Sequence, residues 1–387
     1  MKDDALLGFL VALVVAAVLT PPVARLARRV GAVDGVKERG LAQQATPLLG
    51  GLAIFAAVLA ASALYLPLDD STRGILGGAA VITLVGAIDD WKELGPGPKF
   101  AGQVAAALVL VLSGVSVQDF TVPFVGHVEL GELGDAITLV ALVGLINVVN
   151  FSDGIDGLAA GVCAISALAF AVIAFDLGKD AAGILAAITA GAALGFLVHN
   201  FHPASVFMGD CGSNLLGLLL GGVIVEGSLK TNALIALIVP LVVLAVPFLD
   251  TGFVVAKRIK YRRPVYVADS NHFHHRFHRI GFSQRRTVVY LYGWTVTMAG
   301  LAVALRFIPY TDDRGDWNLG WSLVMAVCFA MAIAASVYLV LVLEILKLRR
   351  LRAWQLRHAD PDTTEYEIDA HVGRELQTGE FQALDPR

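Results

Sequence analysis

Carboxylates recur at the ends of apolar segments: Asp89-Asp90 in GAIDDWKELGPGPKF, Asp153 and Asp156 in NVVNFSDGIDGL, and Asp210 in VFMGDCGSN. A further cluster, DSNHFHHRFH, carries Asp269, His272, His274, His275 and Arg276. A carboxylate beside a bilayer is costly unless it is paired, hydrated or metal-bound. A chain that repeats this cost several times is arranged for chemistry at a membrane face.

Each cluster also has an ordinary reading. Asp89-Asp90 reads as a solvated helix end, yet two adjacent carboxylates at a C-terminal end oppose the helix dipole. A magnesium ion or a basic substrate group would relieve that conflict. Lys99 is an interfacial anchor or a phosphate contact. Asn147, Asn150, Asp153 and Asp156 lie three residues apart, so a continuous helix would set them along one face. The alternative is a Gly/Asp turn loosened by Gly154 and Gly157. Asp210, between glycines at the mouth of an apolar run, is an N-cap or a metal ligand. Hard oxygens arriving from separate loops, without Cys or His, suit magnesium rather than zinc, and Asp210 with Asn150 is the expected ligand pair. The His loop is a zinc tract or, beside Arg263, Arg276 and Arg279, an anion clamp for a diphosphate in which Asp269 orients one imidazole.

These residues need elements to hold them, and composition says which. Of 387 residues, 57% are hydrophobic and only 16% charged, with a mean hydropathy of +0.71. A soluble surface of this size needs more charge. Apolar runs long enough to cross a core of about 30 Å recur throughout. Eleven segments fit, near 5–27, 48–66, 73–89, 99–116, 135–150, 157–177, 180–199, 213–227, 232–256, 286–309 and 319–346. The expected fold is an all-α polytopic membrane protein of about eleven transmembrane helices. The first segment has an acidic flank, which reads as a retained helix rather than a signal peptide. Cys163, Cys211 and Cys328 are scattered and suggest neither a disulfide framework nor a zinc site. The net charge of −4 is uninformative, and nothing points to nucleic acid.

The loops after segments one, three, five, seven and nine carry every motif quoted and most of the cations. The positive-inside rule therefore sets all motif loops in the cytoplasm, with the N-terminus outside and the C-terminus inside. A membrane domain over 1–346 is followed by a polar cytoplasmic tail, 347–387, basic first and acidic beyond.

Taken in order, the motifs resemble the polyprenyl-phosphate N-acetylhexosamine-1-phosphate transferase family. The matching stretches are Gly50-Gly51 in TPLLGGLAI, Asp89-Asp90 with Lys99, NVVNFSDGIDGL, NFHPASVFMGDCGS from Asn200, PFLDT with Pro247, Asp250 and Thr251, and DSNHFHHRF. The resemblance runs collinearly over about residues 5 to 345. The HxHHR form and the Asn-Phe-x-Pro-Ala stretch are closer to the branch that uses UDP-N-acetylglucosamine. The branch that uses UDP-MurNAc-pentapeptide typically has PTMGG where this chain has ATPLLGG. Family members often carry Arg-Lys-x-His before the glycine pair; here only Arg39 matches.

The resemblance implies an enzyme of the bacterial plasma membrane, active on its cytoplasmic face. Such an enzyme joins a sugar 1-phosphate from a UDP-N-acetylhexosamine to undecaprenyl or decaprenyl phosphate and releases UMP. It uses Mg²⁺, with Mn²⁺ as a substitute, and enzymes of this kind often form homodimers. The implied catalytic set is Asp89, Asp90, Asp153, Asp156, Asp210, His272, His274 and His275. The implied substrate contacts are Lys99, Asn147, Asn150, Asn200, Arg276, Asp269 and Arg39. The alternatives are the phospho-MurNAc-pentapeptide transfer of peptidoglycan synthesis and, in another class, an ion-coupled transporter. A transporter places its carboxylates near the midplane; here they gather on one face.

Overall fold

The computed structural model describes residues 2–34, 46–122, 126–228, 241–260, 283–307, 318–342, 353–354, 356–358 and 364–378. The chain divides into two compact units. One comprises Met1–Phe253 with Val288–Arg306, the other Val254–Thr287 with Phe307–Arg387.

The helices in chain order are α1 (Lys2–Val30), α2 (Gly50–Tyr65), α3 (Asp70–Lys92), α4 (Pro96–Leu112), α5 (Glu132–Ser152) and α6 (Leu158–Asp176). They continue with α7 (Asp180–Asn200), α8 (Gly209–Ser228), α9 (Ala245–Lys260), α10 (Gln284–Phe307), α11 (Leu319–Val342) and α12 (Glu365–Thr378). Each of the eleven apolar segments thus carries a helix, and α12 lies in the polar tail. Among the described residues, α1, α3, α5, α6, α7 and Gln284–Ala304 of α10 are long and apolar enough to cross a membrane. The chain is a helical, multi-pass membrane protein.

Two small ribbons depart from an all-helical expectation: β1 (Val33–Asp34) with β2 (Thr46–Pro47), and β3 (Asp119–Val122) with β4 (Gly126–Glu129). Both are antiparallel and too short to register against the surrounding helical periodicity.

In the first unit α7 runs against α1 and α6, while α8 packs on α3 and α5. Hydropathy alone does not say which helices meet lipid. The apolar windows of α6 and α7 are each 78% buried, against 22% for α1. α6 and α7 are therefore the packed centre of the unit and α1 lies at its edge. Small residues make this packing possible. A Cβ at Gly191 or Gly195 of α7 would lie 2.1 Å from the Phe9 or Leu13 carbonyl oxygen of α1, so only glycine lets these backbones approach so closely.

The end of α3 and the start of α4 are set by local chemistry. Glu93 adopts a left-handed C-cap, φ 48°, and a proline opens α4 in its first turn. The tight reversal sends α4 back along α3, bringing Lys99 opposite Asp89. In the second unit α12 opens with a capping box: Thr364 Oγ1 donates to Glu367 Oε2 at 2.8 Å, and Glu367 N donates to Thr364 Oγ1 at 3.4 Å. Its Ile368 and Val372 are buried.

Candidate functional site

Three inter-helix connections converge at one end of the first unit: α3–α4, α5–α6 and α7–α8. From the first comes Lys99, whose Nζ lies 2.5 Å from Asp89 Oδ2 and 2.9 Å from Asp210 Oδ2. From the second comes Asn150, whose Nδ2 donates to Asp210 Oδ1 at 3.0 Å and to Ser213 Oγ at 2.9 Å. Residues separated by 60 to 111 positions thus form one hydrogen-bonded cluster. Oxygens of Asp89, Asp90 and Asp210 all lie within 4.8 Å of one another.

The two neighbouring aspartates of α3 have separate jobs. Asp90 Oδ1 accepts from Asp210 N at 2.7 Å and its Oδ2 from Cys211 N at 3.2 Å. Asp90 therefore caps the N-terminus of α8 from another helix, its negative charge placed where the dipole welcomes it. Of the two readings of Asp210, the N-cap is supplied by Asp90 instead, and Asp210 sits inside the first turn of α8. Gly209 makes this approach possible: its φ is +71°, and a Cβ there would lie 2.2 Å from Asp90 Oδ2. Asp89, only 5% exposed, accepts Leu94 N at 2.7 Å on Oδ1 and turns Oδ2 to Lys99. The dipole conflict read from the sequence is resolved by an ammonium for Asp89 and by two backbone amides for Asp90.

Asn150, expected as a metal ligand, turns its amide nitrogen to Asp210. A carboxylate can only accept, so the amide must present its N–H₂ to Asp210. Ser213 Oγ, which donates to Gly209 O at 3.0 Å, also takes an Asn150 N–H. Through its N–H₂ group Asn150 orients Asp210 and ties it to Ser213. Asn147 pairs with Gln103 of α4: its Nδ2 donates to Gln103 Oε1 at 2.7 Å, and Gln103 Nε2 returns a bond at 3.4 Å.

The expectation of one continuous helical face through Asp156 is also corrected. α5 ends at Ser152, Asp153 is its C-cap, and Gly157 takes φ 80° as the N-cap of α6. Gly154 and Gly157 are thus the turn's signature, and only Asn147 and Asn150 remain on the helix. Asp156 Oδ2 accepts Ala204 N at 3.0 Å and contacts His202 Nδ1 at 2.7 Å, which holds the α7–α8 connection. Asn200, expected at the substrate, is 2% exposed. Its Oδ1 accepts Gly157 N and its Nδ2 donates to the Val206 carbonyl. It staples two connections together and presents no open amide to a ligand.

Asp153 differs from these. Among the described residues its carboxylate accepts no hydrogen bond. Burial first, and then the charges of Asp210, Asp90 and Asp156, push its pKa up to about 7.

The glycine pair has a structural place too. Gly50 N donates to the Phe207 carbonyl at 3.1 Å and Gly51 N to that of Met208 at 3.0 Å, seating the start of α2 on the approach to Asp210. Sequence reading missed Gln103, Ser213, His202 and Tyr292. Gln103 and Ser213 stand four residues after Lys99 and three after Asp210, one helical turn from a candidate. Tyr292 has no such signal: its hydroxyl reaches the Gly157 carbonyl at 2.5 Å from α10. Arg39, Asp269, His272, His274, His275 and Arg276 lie outside the described residues.

Among the described residues the donor set fits a hard divalent cation: carboxylate oxygens of Asp89, Asp90 and Asp210 lie together, with no sulfur or imidazole in the group.

Residues 72–228 match glycosyl transferase family 4. The chain is 37% identical over 341 residues to the decaprenyl-phosphate N-acetylglucosaminephosphotransferase of Mycobacterium tuberculosis, covering 80% of this chain and 84% of that one. The Mycobacterium leprae protein of the same name is 38% identical over 341 residues, 80% of this chain and 85% of its own. A phospho-N-acetylmuramoyl-pentapeptide-transferase of Moorella thermoacetica is 34% identical over 323 residues, 76% and 96% of the two chains.

Proposed function

This chain belongs to glycosyl transferase family 4, and from that premise we propose that it transfers N-acetylglucosamine 1-phosphate from a UDP-sugar to a membrane polyprenyl phosphate, releasing UMP. The observation that carries the reading is the cluster of Asp89, Lys99, Asn150 and Asp210, assembled from three connections at one end of the bundle. The higher identity to the N-acetylglucosaminephosphotransferases than to the pentapeptide transferase supports this donor.

An oxygen of the lipid phosphate attacks the phosphorus that bears the sugar. The bond from that phosphorus to the bridging oxygen breaks, and the oxygen leaves with UMP. Because the attacking phosphate is already anionic, no protein nucleophile is required, and positioning and charge stabilisation carry the reaction. Asp210 and Asp89 would hold a Mg²⁺ ion, which would offset the diphosphate charge. Asn150 keeps Asp210 oriented, and Lys99 steers the lipid phosphate. Asp153 and Asp156 shape the nucleotide side. His272, His274, His275 and Arg276, with Asp269 and Arg39, serve as the diphosphate clamp.

The basic residues on the motif loops support eleven crossings of a bacterial plasma membrane, with the site and the 347–387 tail cytoplasmic and the N-terminus outside. Labelling of single cysteines from each side tests that topology. The frequency of dimers among polytopic enzymes of this kind supports a homodimer.

The decisive assay follows radiolabel from UDP-N-acetylglucosamine into an organic-extractable lipid. Transfer is expected to require Mg²⁺ and to be lost in Asp210→Asn. No transfer from any UDP-sugar would sink the reading.

A further inference from the structure

Asp90 has both oxygens on backbone amides, and Asp89 Oδ1 is held by Leu94 N. Asp210 Oδ1 accepts from Asn150. What remains of the three carboxylates for a cation is chiefly Asp89 Oδ2 and Asp210 Oδ2. Lys99 Nζ sits on both, at 2.5 and 2.9 Å. A divalent ion on the same two oxygens would stand within a few ångströms of the ammonium, and the two positive charges would repel strongly in this half-buried site.

We propose that the Lys99 ammonium and a divalent cation are alternative occupants of the Asp89–Asp210 pair, so that Lys99 acts as a resident counter-ion which cation binding displaces. This rests on the cation reading of the site given above, but not on the identity of the sugar donor. The geometry gives the lysine a way out. Its side chain is 38% exposed whereas that of Asp89 is 5% exposed, so the ammonium can swing toward solvent on its flexible stem while the carboxylates stay in place. Without either occupant, the buried Asp89 and the half-buried Asp210 would face one another uncompensated, which a fold tolerates poorly. Lys99 would keep the apo site assembled and be released when the cation arrives.

The test uses the full chain in detergent micelles and Mn²⁺ alone, its binding read by the spin-resonance signal of the free ion. Lys99→Met keeps the stem and removes the charge. It should bind Mn²⁺ at least about tenfold more tightly than wild type, a modest share of what removing a like charge from the same oxygens should give. Lys99→Arg, which keeps a charge on the pair, should show no such gain. Thermal melting supplies an independent readout. In chelator Lys99→Met should melt below wild type, and saturating Mn²⁺ should close that gap. A lysine that merely braces the fold would leave the gap unchanged by Mn²⁺, and that result overturns the proposal. So does a Lys99→Met chain that binds Mn²⁺ no more tightly than wild type. If Lys99→Met folds only when purified with Mn²⁺, the exchange is supported; if it folds in neither condition, it is refuted. Failure of UDP-sugar transfer alongside the expected Mn²⁺ pattern would remove the proposed reaction and leave the exchange standing.

Discussion

Where α3, α4 and α8 meet, two carboxylates share one ammonium, with Lys99 holding Asp89 and Asp210 together. In the neighbouring α5–α6 turn, Asp153 has no such partner among the described residues, and its pKa rises to about 7. The flanking Asp156 is committed to the His202 ring and the Ala204 amide. The same residue type, at the same end of one bundle, is thus charge-compensated in one place and left uncompensated in the next. The first arrangement sets an ammonium against two carboxylates where an ion or a phosphate could bind. The second supplies a group whose charge changes near neutral pH.

The largest separation between the two regions should come from Asp210→Asn. Loss of the negative charge at the cation pair should cut transfer about a hundredfold or more, the scale seen when one preorganised charge-stabilising group is removed. Asp153→Asn should cost much less at neutral pH, and comparing the two initial rates checks this. Asp90→Ala should act on stability rather than directly on chemistry. It strips the cap from two N–H groups of α8, a cost of about 1–3 kcal/mol that unfolding in detergent can read.

The pH response separates the regions again. The Asp153 pKa is higher folded than unfolded, so the neutral form favours the fold. That contribution is full below about pH 4 and is lost as pH rises through about 7. Melting temperature should therefore fall in wild type relative to Asp153→Asn between about pH 5 and about pH 8. Parallel curves for the two proteins would refute the assignment. The smallest expected effect belongs to Tyr292→Phe, which removes the hydroxyl that holds the Gly157 carbonyl. It should cost about 1 kcal/mol of stability. If the α5–α6 turn serves the nucleotide, it should also raise KM for the UDP-sugar more than it lowers kcat.

Much of the site was legible because its residues stand at helix ends, where an apolar run stops and a charged or Gly-rich turn begins. Asp89, Asp153 and Asp210 could be picked out on that ground alone. Lys99 and Asn150 could be picked out too, but not which contacts they make. Asp90 caps a helix 120 residues away, a contact no local pattern encodes. Asn200 reads like a substrate contact from its motif, yet it is buried as a staple between turns. Tyr292 lies in an ordinary apolar helix, and only packing brings it to the turn.

The amino-acid sequence by itself determined that this chain is a helical membrane protein with carboxylates at its helix ends. Both properties follow from the length of apolar runs and the placement of breakers, which act over a few turns of chain. Tertiary structure alone decided what each carboxylate faces. A carboxylate's chemistry depends on whether an ammonium, a pair of amides or another carboxylate stands within about 3 Å, and those neighbours arrive from helices far apart in sequence.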